Sequence, residues 1–373
     1  MRIVIAPDKF KGSLSADSAA EAIAAGIGKR FPGAEIICAP VADGGEGTVQ
    51  AIVGARGGRF DDVEVQGPVG DPVRAGIGWL DDGGAVIEVS SAAGLAHLSS
   101  LEPLRASSDG CGELIARVLE AGRHASLVVG VGGSASTDGG TGAATAVGWR
   151  FLDGWGRDLE RGGGALHRLA SIDGERLHPA LASAQIVGAV DVDNPLVGPR
   201  GSAHVFAPQK GATEDDVALL EEGLSTLAMR IEADIGIAVA DLAGGGGAGG
   251  IGAGLVAFFG ADLRPGFEVV AEAIGLRRLL SAADLVVTGE GKLDAGSLGG
   301  KAPVGVAREA AAAGVPCMAV AGEVTLTSRD ARAAGFHATV SLSELYGRDH
   351  AMTRTAELLY SATAAAFDAI DFL

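Results

Sequence analysis

Short apolar runs alternate with amphipathic stretches at both ends of the chain, and the middle has a different texture. Residues 2–6, "RIVIA", read as a strand. Ser15 or Asp17 then caps a helix to about residue 30, with Ala19, Ala20, Ile23, Ala24 and Ile27 on one face. Pro32-Gly33 stops it, and residues 35–41 form the next strand, leading into "ADGGEGT" and a second helix. Between 59 and 90 the runs become short and alternating, punctuated by Pro68, Gly70-Asp71-Pro72 and Asp81-Asp82-Gly83-Gly84, which predicts an antiparallel meander. A helix capped at Ser107, Ser108 or Asp109 runs to residue 120, followed by a strand over 127–131.

After a loop-rich segment from 148, a strand covers 186–190. "HVFAPQKGATEDD" predicts a strand running into a loop, and Thr213 caps an acidic-start helix to about 233. The glycine tract 244–254 precedes a short helix, and another helix spans 267–280. The βα alternation then returns: strands over 283–288, 316–321 and 338–342, helices over 304–313 and about 350–370. The expected fold class is therefore α/β, a Rossmann-like parallel-sheet domain with a second α/β domain inserted. Its expected parts are residues 1–60 with 280–373, and 61–279.

Composition agrees. Apolar residues make up 47% of the 373 residues but aromatics only 4%, and there are 60 glycines, so Val/Ile strands covered by Ala-rich helices fit better than disorder. A net charge of -18 argues against nucleic acid or an anionic membrane as partner, while a few lysines in a cleft still suit an anionic small molecule. Cys38, Cys111 and Cys317 are scattered, which suits reduced thiols rather than a disulfide framework or zinc site. His97, His124, His178 and His204 stand alone and read as structural or surface residues. The opening apolar run is too short for a signal sequence, so the expected location is cytoplasmic.

Candidate chemistry gathers where strands end. "IVIAPDKFKGS", "CAPVADGGEGT", "VVGVGGSASTDGG", "VGAVDVDNP" and "LVVTGEGKLD" each place acids, lysines or hydroxyls just past a strand's carboxyl end, the ligand edge of an open α/β sheet. Glycine turns that admit a phosphate, several acids and several lysines together describe phosphoryl transfer. No Walker A sequence exists in the chain. The GxGxxG/A matches at Gly130 and at Gly244 cost nothing among so many glycines and carry little weight for a dinucleotide.

The motifs "APDKFKGSLSA", "VADGGEGT", "GVGGSASTDGG", "DVDNPLVG", "APQKGA", "GAGGIGAGLVAFFGADLRPG", "TGEGKLD" and "GKAPVGVA" resemble, in order and rough spacing, those of the bacterial type I glycerate kinases from residue 1 to about 325. The resemblance implies a kinase using ATP and Mg2+ to phosphorylate D-glycerate, characteristically at the 2-hydroxyl to give 2-phosphoglycerate. Departures are Ser136-Thr137 where Thr-Asn is frequent, Asp193 for Thr, Ala207 for Gly and Lys292 for Arg.

Charge matching and the resemblance together then distribute the roles, with Asn194, Lys210, Glu290 and Asp294 implied by the resemblance. Lys11 and Lys9 are candidate anchors for the glycerate carboxylate, and Asp8, Ser13, Asn194, Lys210 and Lys301 complete the expected substrate set. Gly132, Gly133 and Ser134 are expected to cradle phosphate, with Gly139, Gly140, Gly289, Glu290 and Asp294 also on the nucleotide. Asp43, Glu46, Asp138 and Asp191 share metal binding and hydroxyl orientation: Glu46 and Asp138 as metal ligands, Asp43 with Lys11 in catalysis, and Asp191 as the group taking the substrate proton. Asp138 is equally readable as a helix cap. The rival readings are a kinase of the 3-hydroxyl or of another small hydroxy acid, and a metabolite-binding regulator without turnover. A homo-oligomer is left open.

Overall fold

The computed structural model describes residues 1–122 and 126–369, so His124 and the last position of the expected terminal helix, Ile370, lie outside the described residues. The chain is mixed α/β and divides into two compact units, Met1–Asp43 with Phe267–Leu373, and Gly44–Gly266.

The first unit is built from both ends of the chain. Its five strands are all parallel, in the order Ala338–Ser341, Cys317–Ala321, Leu285–Thr288, Arg2–Ile5 and Glu35–Cys38. Ile3 lies in register with Leu285 on one side and Ile36 on the other. Ile3, Ile5, Val287 and Val320 join Ile23 and Ile27 of the helix Ala16–Arg30 in one core. That helix starts where the Ser15 hydroxyl accepts the N–H of Ser18 at 3.2 Å. A Cβ at Gly26 would lie 2.5 Å from the Tyr360 carbonyl, so glycine lets the helix Thr355–Ala369 lie against it. From Arg2–Ile5 the chain winds one way across the sheet, and from Leu285–Thr288 it winds the other. The carboxyl ends of these two neighbours are the sheet's switch point, where open α/β sheets bind ligands.

The second unit holds a six-stranded sheet ordered Asp262–Pro265, Gln185–Val190, Ser126–Val131, Ala85–Glu88, Pro72–Leu80 and Gly58–Gln66. The first four are parallel, and the expected meander supplies the antiparallel pair at the far edge. The long helix Glu214–Ile235 opens on a capping box made by Thr213 and Asp216.

Several local expectations fail. "HVF" is not a strand but part of the helix Ser202–Phe206, continued by a single 3-10 turn, Pro208–Lys210. Ala203 and Ala207, four residues apart, are the positions that reach the core, and Val205 is exposed. The expected helix over 267–280 is broken into Gly266–Ala273 and Leu276–Leu280 by Gly275, whose φ is +67°. The expected last helix is likewise two, Arg348–Thr353 and Thr355–Ala369. The strand Asp262–Pro265, short and ending in proline at a sheet edge, has no periodic signature.

The first part of the glycine tract is a loop before a helix, as expected: three left-handed residues, Ala248, Gly249 and Gly250, interrupt the start of the helix Gly247–Phe259, and the tract's last residues, 251–254, form its first regular turn. A Cβ on Gly249 would stand 1.9 Å from the Ser136 carbonyl, and one on Gly254 2.5 Å from that of Gly139. The tract is glycine-rich because backbone packs on backbone there.

Candidate active site

In the first unit, the loops after three parallel strands are pinned together. The Asp8 N–H donates to the Gly289 carbonyl (2.8 Å), the Val41 N–H to the Pro7 carbonyl (2.9 Å), and the Thr288 hydroxyl to the Ala6 carbonyl (2.6 Å). This brings Asp8, Asp43 and Glu290 into one electrostatic cluster at the switch point. Lys9 Nζ stands 3.7 Å from an Asp8 oxygen and 3.9 Å from an Asp43 oxygen, and Lys301 Nζ is 3.8 Å from Glu290 Oε2. Asp8 is only 5% exposed. Burial pushes its carboxyl up to about 7; Lys9 opposes the rise, and the charges of Asp43 and Glu290 add to it. Glu290 is also raised, first by burial, with Lys301 and a hydrogen bond from Ser297 opposing. Its buried Oε1 finds no hydrogen-bond partner among the described residues. Asp294 is held low despite some desolvation, by Lys301, the Gly296 N–H (2.9 Å) and Lys292 (3.6 Å).

Other expected members of this set have different duties. Ser13 donates to the Met352 carbonyl at 3.0 Å and shares a hydrogen bond with Thr355, so its hydroxyl ties the first loop to the last helix. Gly289 is glycine because a Cβ would meet the Val320 carbonyl at 2.1 Å. Lys11 is exposed.

In the second unit, the loops at the sheet's carboxyl edge interlock through small residues. A Cβ on Gly130 would lie 2.7 Å from the Gly44 carbonyl, and one on Gly132 3.3 Å from Gly45 Cα. Gly133 has a φ of +68° and faces Ser90. Glu88, which no motif marks, accepts the N–H groups of Gly47 and Val49, both at 2.9 Å, at the start of the helix Thr48–Arg56. Its partners lie some forty residues away in sequence, which is why periodicity misses it.

Asp138 is fully buried, and its oxygens are spent on the fold. Oδ2 accepts from Ser108 N (2.9 Å), Ser108 Oγ (2.8 Å), Gly142 N (3.2 Å) and Ser107 Oγ (3.3 Å), and Oδ1 from Gly140 N (3.1 Å). This is a cap and a tether, not a vacant metal ligand, and Glu46, exposed, does not join it. Among the described residues no three acidic, imidazole or thiol side chains make a metal-binding group. The N–H groups of Gly139 and Gly140 go to the Gly249 carbonyl (3.0 Å) and to Asp138, so they do not face a phosphate. Ser134 Oγ pairs with Ser136 Oγ at 2.6 Å and accepts its N–H. At this turn Gly132 is half-buried and Gly133 exposed, while Ser134 is buried.

Asp191 lies exposed just past the strand Gln185–Val190. Asn194 holds its loop in shape by donating to the Arg200 carbonyl at 2.8 Å. Lys210, expected on substrate, is instead 3% exposed and donates to the Ser136 carbonyl at 2.5 Å. Of the histidines, His178 caps a short turn by accepting the Ala180 N–H, and His97 meets the Ser91 carbonyl.

Two adjoining cavities in this unit, about 450 and 210 Å3, share Ser107, Asp109, Glu160 and Arg161. Asp109 is buried with a raised pKa, mainly from desolvation, and Arg161 approaches it at 3.2 Å. Sequence reasoning treats Asp109 only as a cap, because its guanidinium partner is a residue of a distant loop.

A sequence profile described as the glycerate kinase family matches residues 3–371. The chain is 47% identical over 341 residues to the glycerate kinase of Bacillus subtilis (strain 168), covering 90% of this chain and 88% of the relative. It is 43% identical over 328 residues to the glycerate 2-kinase of Escherichia coli (strain K12), covering 87% and 86%. A crystal structure from Salmonella typhimurium LT2, of a protein provisionally named glycerate kinase 2, superposes with a TM-score of 0.85 at 41% identity over 99% of both chains.

Proposed function

The chain belongs to the glycerate kinase family, and from that premise we propose that it transfers the γ-phosphoryl group of ATP to the 2-hydroxyl of D-glycerate, giving 2-phosphoglycerate and ADP. The 2-hydroxyl is favoured by the name of the Escherichia coli relative. The single observation that carries the chemistry is Asp8. A buried carboxyl raised to about 7, at the switch point of a parallel sheet, is matched to a general base working near neutral pH. The glycerate hydroxyl oxygen bonds to the γ-phosphorus, the bond from that phosphorus to the bridging oxygen breaks, and the hydroxyl proton passes to Asp8. The role expected of Asp191 is reassigned because Asp191 is exposed.

Lys9 and Lys301 sit among these acids and are assigned to balance glycerate and phosphate charge; Lys11, exposed on the same loop, is assigned as the further cation for the carboxylate. The turn at 132–134 is assigned to nucleotide phosphate through its backbone. Mg2+ is the metal the family implies. The donor set fits it, since Asp43 and Glu290 offer hard oxygens and Glu290 Oε1 is buried without a partner. The lack of a three-residue metal-binding group among the described residues suits an ion met by one or two carboxylates and otherwise carried on phosphates and water. Bound there, magnesium would neutralise phosphate charge.

The test is ADP release in a coupled assay with D-glycerate, with the product read by phosphorus NMR. The reading stands if ADP forms and the new resonance couples to the C2 proton. Coupling to the C3 protons moves the reaction to the other hydroxyl, and no ADP release removes the kinase reading.

A further inference from the structure

We infer that Lys210 is a positioning residue for the anion-binding turn, acting through the carbonyl of Ser136; the inference rests on the reading of residues 132–134 as that turn's phosphate face. A buried ammonium is costly, and it is stable only when its charge and donors are answered. Lys210 Nζ reaches across from a 3-10 turn 74 residues away and donates to the Ser136 carbonyl at 2.5 Å. The charge that supports it is Asp138, two residues beyond Ser136.

The segment 136–138 is thus held at both ends by opposite buried charges. Lys210 holds Ser136, while Asp138 is gripped by the Ser107-Ser108 loop and by Gly140 and Gly142. Between them, Thr137 is fully buried and its Oγ1 has no hydrogen-bond partner among the described residues. The backbone position here is dictated by the flanking charges and not by the local side chain. Ser136 is then linked to the phosphate face by two hydrogen bonds, from its N–H to Ser134 Oγ at 2.9 Å and between the two hydroxyls at 2.6 Å. Moving the Ser136 carbonyl therefore moves Ser134 and Gly133. Since Lys210 is 3% exposed and its ammonium donates to the Ser136 carbonyl, its effect reaches the ligand through the turn and not by contact.

The experiment compares wild type, Lys210→Met and Lys210→Gln by calorimetric titration with ADP, by steady-state kinetics and by melting temperature. Lys210→Met should raise the Kd for ADP and the KM for ATP together by about tenfold or more, with kcat at saturation and the KM for glycerate within about threefold. Lys210→Gln keeps an N–H donor without the charge and should weaken ADP about threefold, between the other two. If Lys210→Met does not fold, that intermediate loss alone decides for the inference. A rise in glycerate KM with ADP affinity unchanged would make Lys210 a substrate contact and overturn it. So would unchanged ADP affinity in Lys210→Gln with only the melting temperature lowered. Wild-type protein that binds no ADP removes the turn's ligand and the inference with it. Because the titration needs no turnover, wild type that binds ADP yet does not phosphorylate glycerate sinks only the kinase reading.

Discussion

Asp8 and Asp138 are the same residue type, both buried at the carboxyl edge of a parallel sheet, one in each unit, and they are used in opposite ways. Asp138 accepts five hydrogen bonds, three of them from backbone N–H groups, and serves the architecture. Asp8 accepts the N–H of Lys9 at 2.6 Å, sits among two other carboxyls, and has its affinity for a proton raised. Burial alone does not make a carboxylate chemical or structural. The supply of donors does: the oxygens of Asp138 are taken up by hydrogen bonds that tie loops together, while Asp8, buried beside two other carboxyls, is left to exchange a proton.

The largest test of this contrast is Asp8→Asn. Turnover should fall at least about 100-fold, since the proton acceptor is gone. The same variant should be more stable than wild type above neutral pH. Folded Asp8 titrates near 7 and its ordinary value is 3.8, so between those values the folded state keeps a proton the unfolded chain has released. Its stabilising contribution is complete below the lower value and is lost as pH rises through the upper one, on the order of a few kcal/mol. Urea melts at pH 6 and pH 9 check this; a variant destabilised at pH 9 would contradict it.

Next in size, kcat/KM of the wild type should fall about tenfold per pH unit on the acid side of about 7, as the base is protonated. Asp138→Asn should leave that limb where it is. A limb that moves in Asp138→Asn would blur the division between the two acids.

Asp138→Asn should instead cost about 2 kcal/mol of stability, because the amide keeps one acceptor oxygen and turns a donor toward another N–H. Its kcat should stay within about threefold. Denaturant unfolding beside saturation kinetics reads both. The smallest effect is that of Ser108→Ala, which removes one of the five donors and should cost about 1 kcal/mol, with unaltered kinetics.

The contrast also shows what a sequence can display. The strands Arg2–Ile5 and Leu285–Thr288 and the Ser15 and Thr213 caps are legible because their causes lie within a few residues. The family motifs mark most of the loops that hold the acids. They do not reveal that Ser13 serves Thr355, that Gly289 serves Val320, or that the tract at 244–254 is glycine to let Ser136 and Gly139 approach. Each of those reasons is a partner distant in sequence. Helical and strand periodicity also fail on the shortest elements: Ser202–Phe206 and Asp262–Pro265 contain too few residues to show either period.

The first unit's sheet carries a cost in time. Arg2 donates its N–H to Asp284, a separation of 282 residues, at the start of the neighbouring strand. At translation rates of about 5–20 residues per second, the apolar run from Ile3 to Ile5 leaves the ribosome roughly 15–60 s before the strand that flanks it on that side exists. Residues 44–266 form one continuous stretch and need wait for nothing made later. The opening strand, flanked on both sides in the finished sheet, is during synthesis an edge left unpaired on that side and in need of shelter.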